Sequence, residues 1–296
     1  MSSLLRNFVQ ESKVLNKVKV EDFLPVYFGI RPCSLITIPA ELPSGSIFGK
    51  QIDEKCAKDL ALILSTRDLR LRGELILRLR NKMRKLFKEI VFNSEEFKAH
   101  EWWAKKLNLR MKIEEVRPSI YEVYLYKDRK IGKILKKLFS VRREIRRAIY
   151  QMRPVNLPPS LIVYPEELSA SYITQLGEVL GYPDCCIKRY ADERSTGVYV
   201  EGRASQQIKE LKKSGGKPNA FAYFSSSFLP CSPQCPKASE IGKKIYDAIA
   251  NTIPGFEKVY LDCLNENVEI AEKYPDIIAS RRRDMDSKVK RLISYM

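Results

Sequence analysis

The 296-residue chain is 44% hydrophobic and 30% charged, enough apolar content for one large domain or two ordinary ones. Lysine and arginine outnumber aspartate and glutamate by 53 to 36, a formal net charge of +17, and there is one histidine. A lone His100 rules out a Cys-His protease, a Ser-His-Asp triad elsewhere in the chain and a zinc centre built on several histidines. The surplus of positive charge attracts polyanions by counterion release, so nucleic acid is the expected partner, with RNA favoured. The N-terminal "MSSLLRNFVQESK" lacks the apolar stretch of a signal peptide, and the longest apolar run, "LALIL" at 60–64, is far short of a membrane span. A cytoplasmic protein without membrane contact is therefore expected.

In chain order, residues 31–42, "RPCSLITIPAEL", read as a β-branched strand that precedes a helical pattern, a strand-helix unit near 34–64. The frame Ser-Leu-Ile-x-x-Pro-x-Glu-Leu recurs at Ser160–Leu168, which suggests two related strand-to-helix units. From Ile52 to Val91 apolar residues recur at helical spacing among many arginines and lysines, and Asn93 or Ser94 caps a following helix with Glu95 and Glu96 in its first turn. His100 reads as a surface residue of that helix. "SIYEVYLYK" alternates as a strand, Tyr121, Val123 and Leu125 on one face and Glu122, Tyr124 and Tyr126 on the other. Residues 131–150 form an amphipathic helix with Ile134, Leu135, Leu138, Val141, Ile145 and Ile149 along one side. Its other side presents Lys136, Lys137, Arg142, Arg143, Arg146 and Arg147, a candidate track for phosphates, without the interleaved aromatics that base stacking would need. The proline-rich "MRPVNLPPS" at 152–160 marks a boundary between a basic, largely helical part (1–152) and a cysteine-bearing α/β part (153–296). In the second part a strand at 160–164, helices near 168–180, 237–252 and 256–273, and a buried strand at "AFAYFSS" are expected, with a basic C-terminal helix.

Four of the seven cysteines fall in two short pieces, "LGYPDCCIKRY" and "FLPCSPQCPKASEIGKKI". Pro183 and Pro236 suit the first position of a helix, which puts Cys185, Cys186 and Cys235 at helix N-termini, where the positive end of the dipole favours thiolate. Cys231 and Cys235 have the spacing of a zinc knuckle. Adjacent cysteines on a helix point about 100° apart, which suits an iron–sulfur cluster better than one small ion. The expected cofactor is therefore a cysteine-held iron–sulfur cluster, with zinc as the alternative. A disulfide stays open, because the Lys-, Arg-, Glu- and Ile-rich composition resembles hyperthermophile proteins. Asp184 is a helix-start residue and the candidate acid, base or partner beside the cysteines. Cys33, Cys56 and Cys263 stand alone in apolar segments and read as core.

"LGYPDCC" followed by "PCSPQCPKASEIG" resembles an uncharacterised, mainly archaeal family catalogued as domain of unknown function 483. The resemblance implies an archaeal origin and gives weight to the cysteine pieces, but it implies no activity. "SGSIFGKQ" (44–51) is one residue short of a phosphate-binding loop and has Gln51 where magnesium needs a hydroxyl. Two functions follow: a nucleic-acid-binding enzyme with a cluster open to substrate, tRNA modification favoured, or a nucleic-acid-binding or assembly factor with a structural metal.

Overall fold

The computed structural model describes residues 3–152 and 164–294. The boundary expected at 152–160 and the strand at 160–164, apart from Tyr164, lie outside the described residues. An amphipathic α1 (Ser3–Gln10) buries Leu5 and Phe8. Helical turns follow in one run: α2 (Asn16–Val18), a π-turn (Lys19–Phe23) and α3 (Leu24–Tyr27). β1 (Cys33–Ile38) leads into α4 (Gly45–Ser65), α5 (Leu69–Phe87) and α6 (Glu95–Lys106). Asp68 caps α5 by accepting from the Leu71 amide at 2.9 Å, and Ser94 caps α6 by accepting from Phe97 at 3.1 Å, as expected of that serine.

β2 (Arg110–Arg117) turns directly into β3 (Ile120–Tyr126), and β1 pairs antiparallel on the other edge of β3, giving the order β1-β3-β2. The central strand is buried on both faces from Glu122 to Tyr126, and apart from Glu122 its residues are apolar or aromatic. Val123 and Leu125 join the large core with Phe8, Phe23, Phe224 and Tyr260. Tyr124 and Tyr126 face a second cluster with Leu135, Leu138 and Phe139 of α7 (Arg129–Met152). Residues from both sides of the expected boundary share the first core.

α7 is rotated from its expected orientation. Ile134 and Val141 are each 40% exposed, whereas Arg142 is 2% exposed as a side chain. Arg142 is held by Glu122 of β3 at 2.6 Å and by Glu166 at 2.8 Å, and Arg146 grips Glu166 through two contacts of 2.7 Å. These carboxylates stabilise the guanidinium groups inside the fold, so Arg142 and Arg146 are not surface cations. Lys136, Lys137, Arg143 and Arg147 remain exposed.

After a 3₁₀ turn (Pro165–Leu168) come α8 (Ala170–Leu180), α9 (Asp184–Ser195), α10 (Val200–Lys213), α11 (Pro236–Thr252) and α12 (Glu257–Ser294). The mixed helix-and-strand class holds, with all strands of the described residues lying between Cys33 and Tyr126. "AFAYFSS" is not a strand. Ala220–Tyr223 is a 3₁₀ turn started by Asn219, whose side chain accepts from the Phe221 amide at 3.1 Å. The run is apolar because α11 presses on it: a Cβ on Gly242 would lie 2.1 Å from the Phe221 carbonyl oxygen. A short buried run has the same composition whether it is strand or turn.

Candidate metal centre

Two chain reversals build the site. α8 ends at Gly181, in the left-handed region at φ 71°, where a Cβ would meet Pro32 Cδ at 2.6 Å. The chain then re-enters helix at Asp184, with Pro183 one position ahead as the N-cap rather than inside the first turn. Gly177 lets α8 and α9 approach, since a Cβ there would come within 2.7 Å of Ile187. Across from this turn, Cys235 is the N-cap of α11 and Pro236 its first residue, as the sequence suggested.

The sulfurs of Cys185, Cys186, Cys231 and Cys235 all lie within 4.8 Å of one another. Cys185 is 3.9 Å from Cys186, 3.7 Å from Cys235 and 3.9 Å from Cys231, and Cys186 is 3.6 Å from Cys235. All are free thiols, far beyond the ~2.05 Å of a disulfide bond. The expected divergence of Cys185 and Cys186 does not occur. In the first turn of α9 no earlier turn blocks side-chain rotamers that are closed in mid-helix, which leaves room for adjacent sulfurs to approach to 3.9 Å. The set can hold a metal ion.

Three of the thiols feel different fields. Burial pushes Cys186 well up and raises Cys231 to about 11. Cys235 is lowered: burial opposes its ionisation, but the Ala238 amide at the start of α11 and the neighbouring thiols outweigh it. A divalent cation at the centre would supply the charge that the buried pair lacks. The Cys231 amide donates to Cys186 sulfur at 3.3 Å, which ties the loop to α9 before any ion is considered.

Residues beyond the motifs fix that loop. Arg189 donates to the Cys231 carbonyl at 2.6 Å and Arg203 to the Pro230 carbonyl at 3.0 Å. Glu193 accepts from both arginines, at 2.8 Å and 2.9 Å, and so locks α9, α10 and the loop together. Arg189 and Glu193 stand one and two turns beyond the cysteines; Arg203 could not be found without the fold. Asp184 is exposed at the first position of α9, where its charge suits the helix end. His100 is buried rather than on the surface. It is 2% exposed, shares its Nδ1 with the Glu96 carbonyl and packs against Phe23, and burial lowers its pKa. Cys33, Cys56 and Cys263 are buried, as expected of core residues. No described helix is long and apolar enough to cross a membrane.

Fold and site together define a mixed helix-and-strand protein with a four-cysteine candidate metal centre in its C-terminal half. Residues 119–260, which contain all four cysteines, match the family described as "Protein of unknown function (DUF483)", and the resemblance carried by the cysteine motifs holds over that segment. An uncharacterised protein of Methanothermobacter thermautotrophicus is 34% identical over 22% of this chain and 34% of its own length. An uncharacterised protein of Methanocaldococcus jannaschii is 29% identical over 23% of this chain and 36% of its own. The chain thus spans about a third of the length of these curated archaeal relatives. No solved structure matches.

Proposed function

We propose that this is a zinc protein whose four-thiolate centre staples α9 to α11, and whose exposed basic face contacts nucleic acid, RNA first among them. Four of the six sulfur separations are 3.6–3.9 Å and all lie within 4.8 Å, and this compactness carries the reading of the metal. Four sulfurs each about 2.3 Å from one tetrahedral ion sit roughly 3.8 Å apart. An iron–sulfur cluster spreads its cysteines over more than one iron and needs a wider cage. The cage therefore favours a single ion over the cluster read from the sequence. A four-thiolate ion has no open position, which favours a nucleic-acid-binding or assembly factor over an RNA-modifying enzyme. The net charge of +17 and the outward Lys136, Lys137, Arg143 and Arg147 support a polyanionic partner.

Metal and acid-labile sulfide content of protein purified without oxygen tests the centre, beside Cys235→Ser. One equivalent of zinc per chain without sulfide or visible absorption is expected, lost in the variant together with much of its thermal stability. Iron with matching sulfide, and a colour that disappears in the variant, would replace the staple with a cluster and reopen catalysis.

A further inference from the structure

A cavity of about 770 Å³ lies between β3, α7, α8, α9 and α12, within the ~300–1,000 Å³ of small-molecule sites. Ile173 and Leu176 of α8 and Ile270 and Ile278 of α12 give it apolar sides. At one end four carboxylates share three guanidinium groups. Glu122 accepts from Arg142 and from the Tyr124 hydroxyl, each at 2.6 Å, and Glu166 takes both contacts of Arg146 as well as Arg142. Glu201 takes both terminal nitrogens of Arg194, at 2.5 Å and 3.2 Å. Glu167 is left with Arg194 Nε at 3.1 Å and the Tyr190 hydroxyl, and its side chain is 20% exposed, against 1%, 3% and 8% for Glu166, Glu122 and Glu201. All four acids line the cavity, and Glu167 is the most accessible of them.

Asn267 also lines the cavity. Asn267, 5% exposed, donates through its amide nitrogen to Glu21 at 2.8 Å and to the Tyr223 carbonyl at 3.0 Å. Those two acceptors fix its orientation, and its buried Oδ1 has no hydrogen-bond partner among the described residues. Next to it, Ser226 and Thr37 line the same cavity with their amides turned to Glu21 (2.6 Å) and Glu41 (2.5 Å). Glu41 and Glu167 occupy the same place in the two Ser-Leu-Ile-x-x-Pro-x-Glu-Leu frames. Among the described residues, a chain of net charge +17 thus lines this cavity with four carboxylates against two arginines, both committed to glutamates.

We propose that this cavity binds an organic amine, its apolar body between α8 and α12 and its ammonium donating to Glu167. An acceptor-rich, negatively biased pocket excludes a phosphate or carboxylate ligand and leaves a neutral apolar one without its polar contact. Burial lifts Glu167 to about 7, so a bound ammonium would stabilise its ionised form and draw that value down.

Phenethylamine and its neutral isostere phenethyl alcohol serve as probes, titrated calorimetrically into the full chain. The amine should bind at least tenfold more tightly than the alcohol, about 1.4 kcal/mol. Glu167→Gln should erase that ratio while leaving the alcohol unaffected, and Leu176→Trp, which fills the cavity away from the charges, should abolish binding of both. Equal affinities, a ratio that survives in Glu167→Gln, or no binding of either probe at millimolar concentration to folded protein would overturn the assignment. Should Glu167→Gln fail to fold, the ratio in the parent protein and the loss in Leu176→Trp decide.

Discussion

Replacing Arg142 with Met separates a structural from a phosphate-binding role for α7. The thioether keeps much of the side-chain volume beneath Tyr172, whose ring the guanidinium faces at 5.7 Å, so packing loss is small. What disappears is charge. Glu166 keeps both contacts from Arg146, but Glu122, 3% exposed, is left with the Tyr124 hydroxyl alone. Removing one partner of a buried pair costs about 3–5 kcal/mol, most of it from the uncompensated ion. Urea denaturation should therefore show a loss of about 3–5 kcal/mol at pH 7 with an unchanged slope. The double variant Arg142→Met/Glu122→Gln removes the stranded charge while its amide oxygen still accepts from Tyr124, and should recover at least ~1 kcal/mol as a coupling term. In folded protein, nucleic-acid affinity should be untouched. A cost below ~1 kcal/mol, no recovery in the double variant, or a weakened salt dependence of binding would refute the buried-network account.

Two further expectations concern the surface and the titrating interior. Changing Lys136, Lys137 and Arg147 to Gln should flatten the dependence of log affinity on log salt by roughly 2 for single-stranded RNA, at about 0.7 per phosphate contact, and an unchanged slope would dismiss that face of α7. Burial raises Glu21 and Glu167 from 4.5 to about 7, so the folded state binds their protons more tightly than the unfolded chain. Stability should consequently rise by about 1–2 kcal/mol between pH 8 and 6.5 as both take up protons. His100 has the opposite sign: its folded pKa is lowered from 6.5, so below that value protonation favours the unfolded chain and the gain should level off. Denaturation midpoints that stay flat or fall between pH 8 and 6.5 would contradict the assignment.

What could be read from the sequence was local. Ser94 with two acids behind it and Pro236 after Cys235 carry their meaning within a few residues and stand where expected; the cysteine pieces do come together, though Pro183 is the N-cap of its helix and Cys185 and Cys186 do not diverge. The failures were matters of partnership. Arg142 and Arg146 have the pattern of a solvated face until Glu122 and Glu166 are known to lie against them, and nothing within a turn of either arginine announces those acids. β2 went unread because "RMKIEEVR" is an edge strand, partly exposed along most of its length and without a clean alternation. Ile134 and Val141 fit an apolar stripe by spacing yet stay outside, because the helix turns to bury Phe139 and Arg142 instead. Periodicity identifies a helix; long-range charge pairing decides how that helix is rotated.

α9 connects the two sites. Its first turn supplies Cys185 and Cys186, and Tyr190 and Arg194 on the same helix line the cavity, Arg194 about 12 Å farther along the axis at 1.5 Å per residue. Cys186 itself belongs both to the thiol cage and to the cavity wall. The Arg189–Glu193–Arg203 clamp sits between these ends and holds the 230–231 loop. An ion at the cage would therefore fix the position from which Arg194 divides itself between Glu167 and Glu201, and that division is what leaves Glu167 open to the cavity. A purely structural metal centre would in this way still set the chemistry of a pocket that no metal ligand other than Cys186 touches.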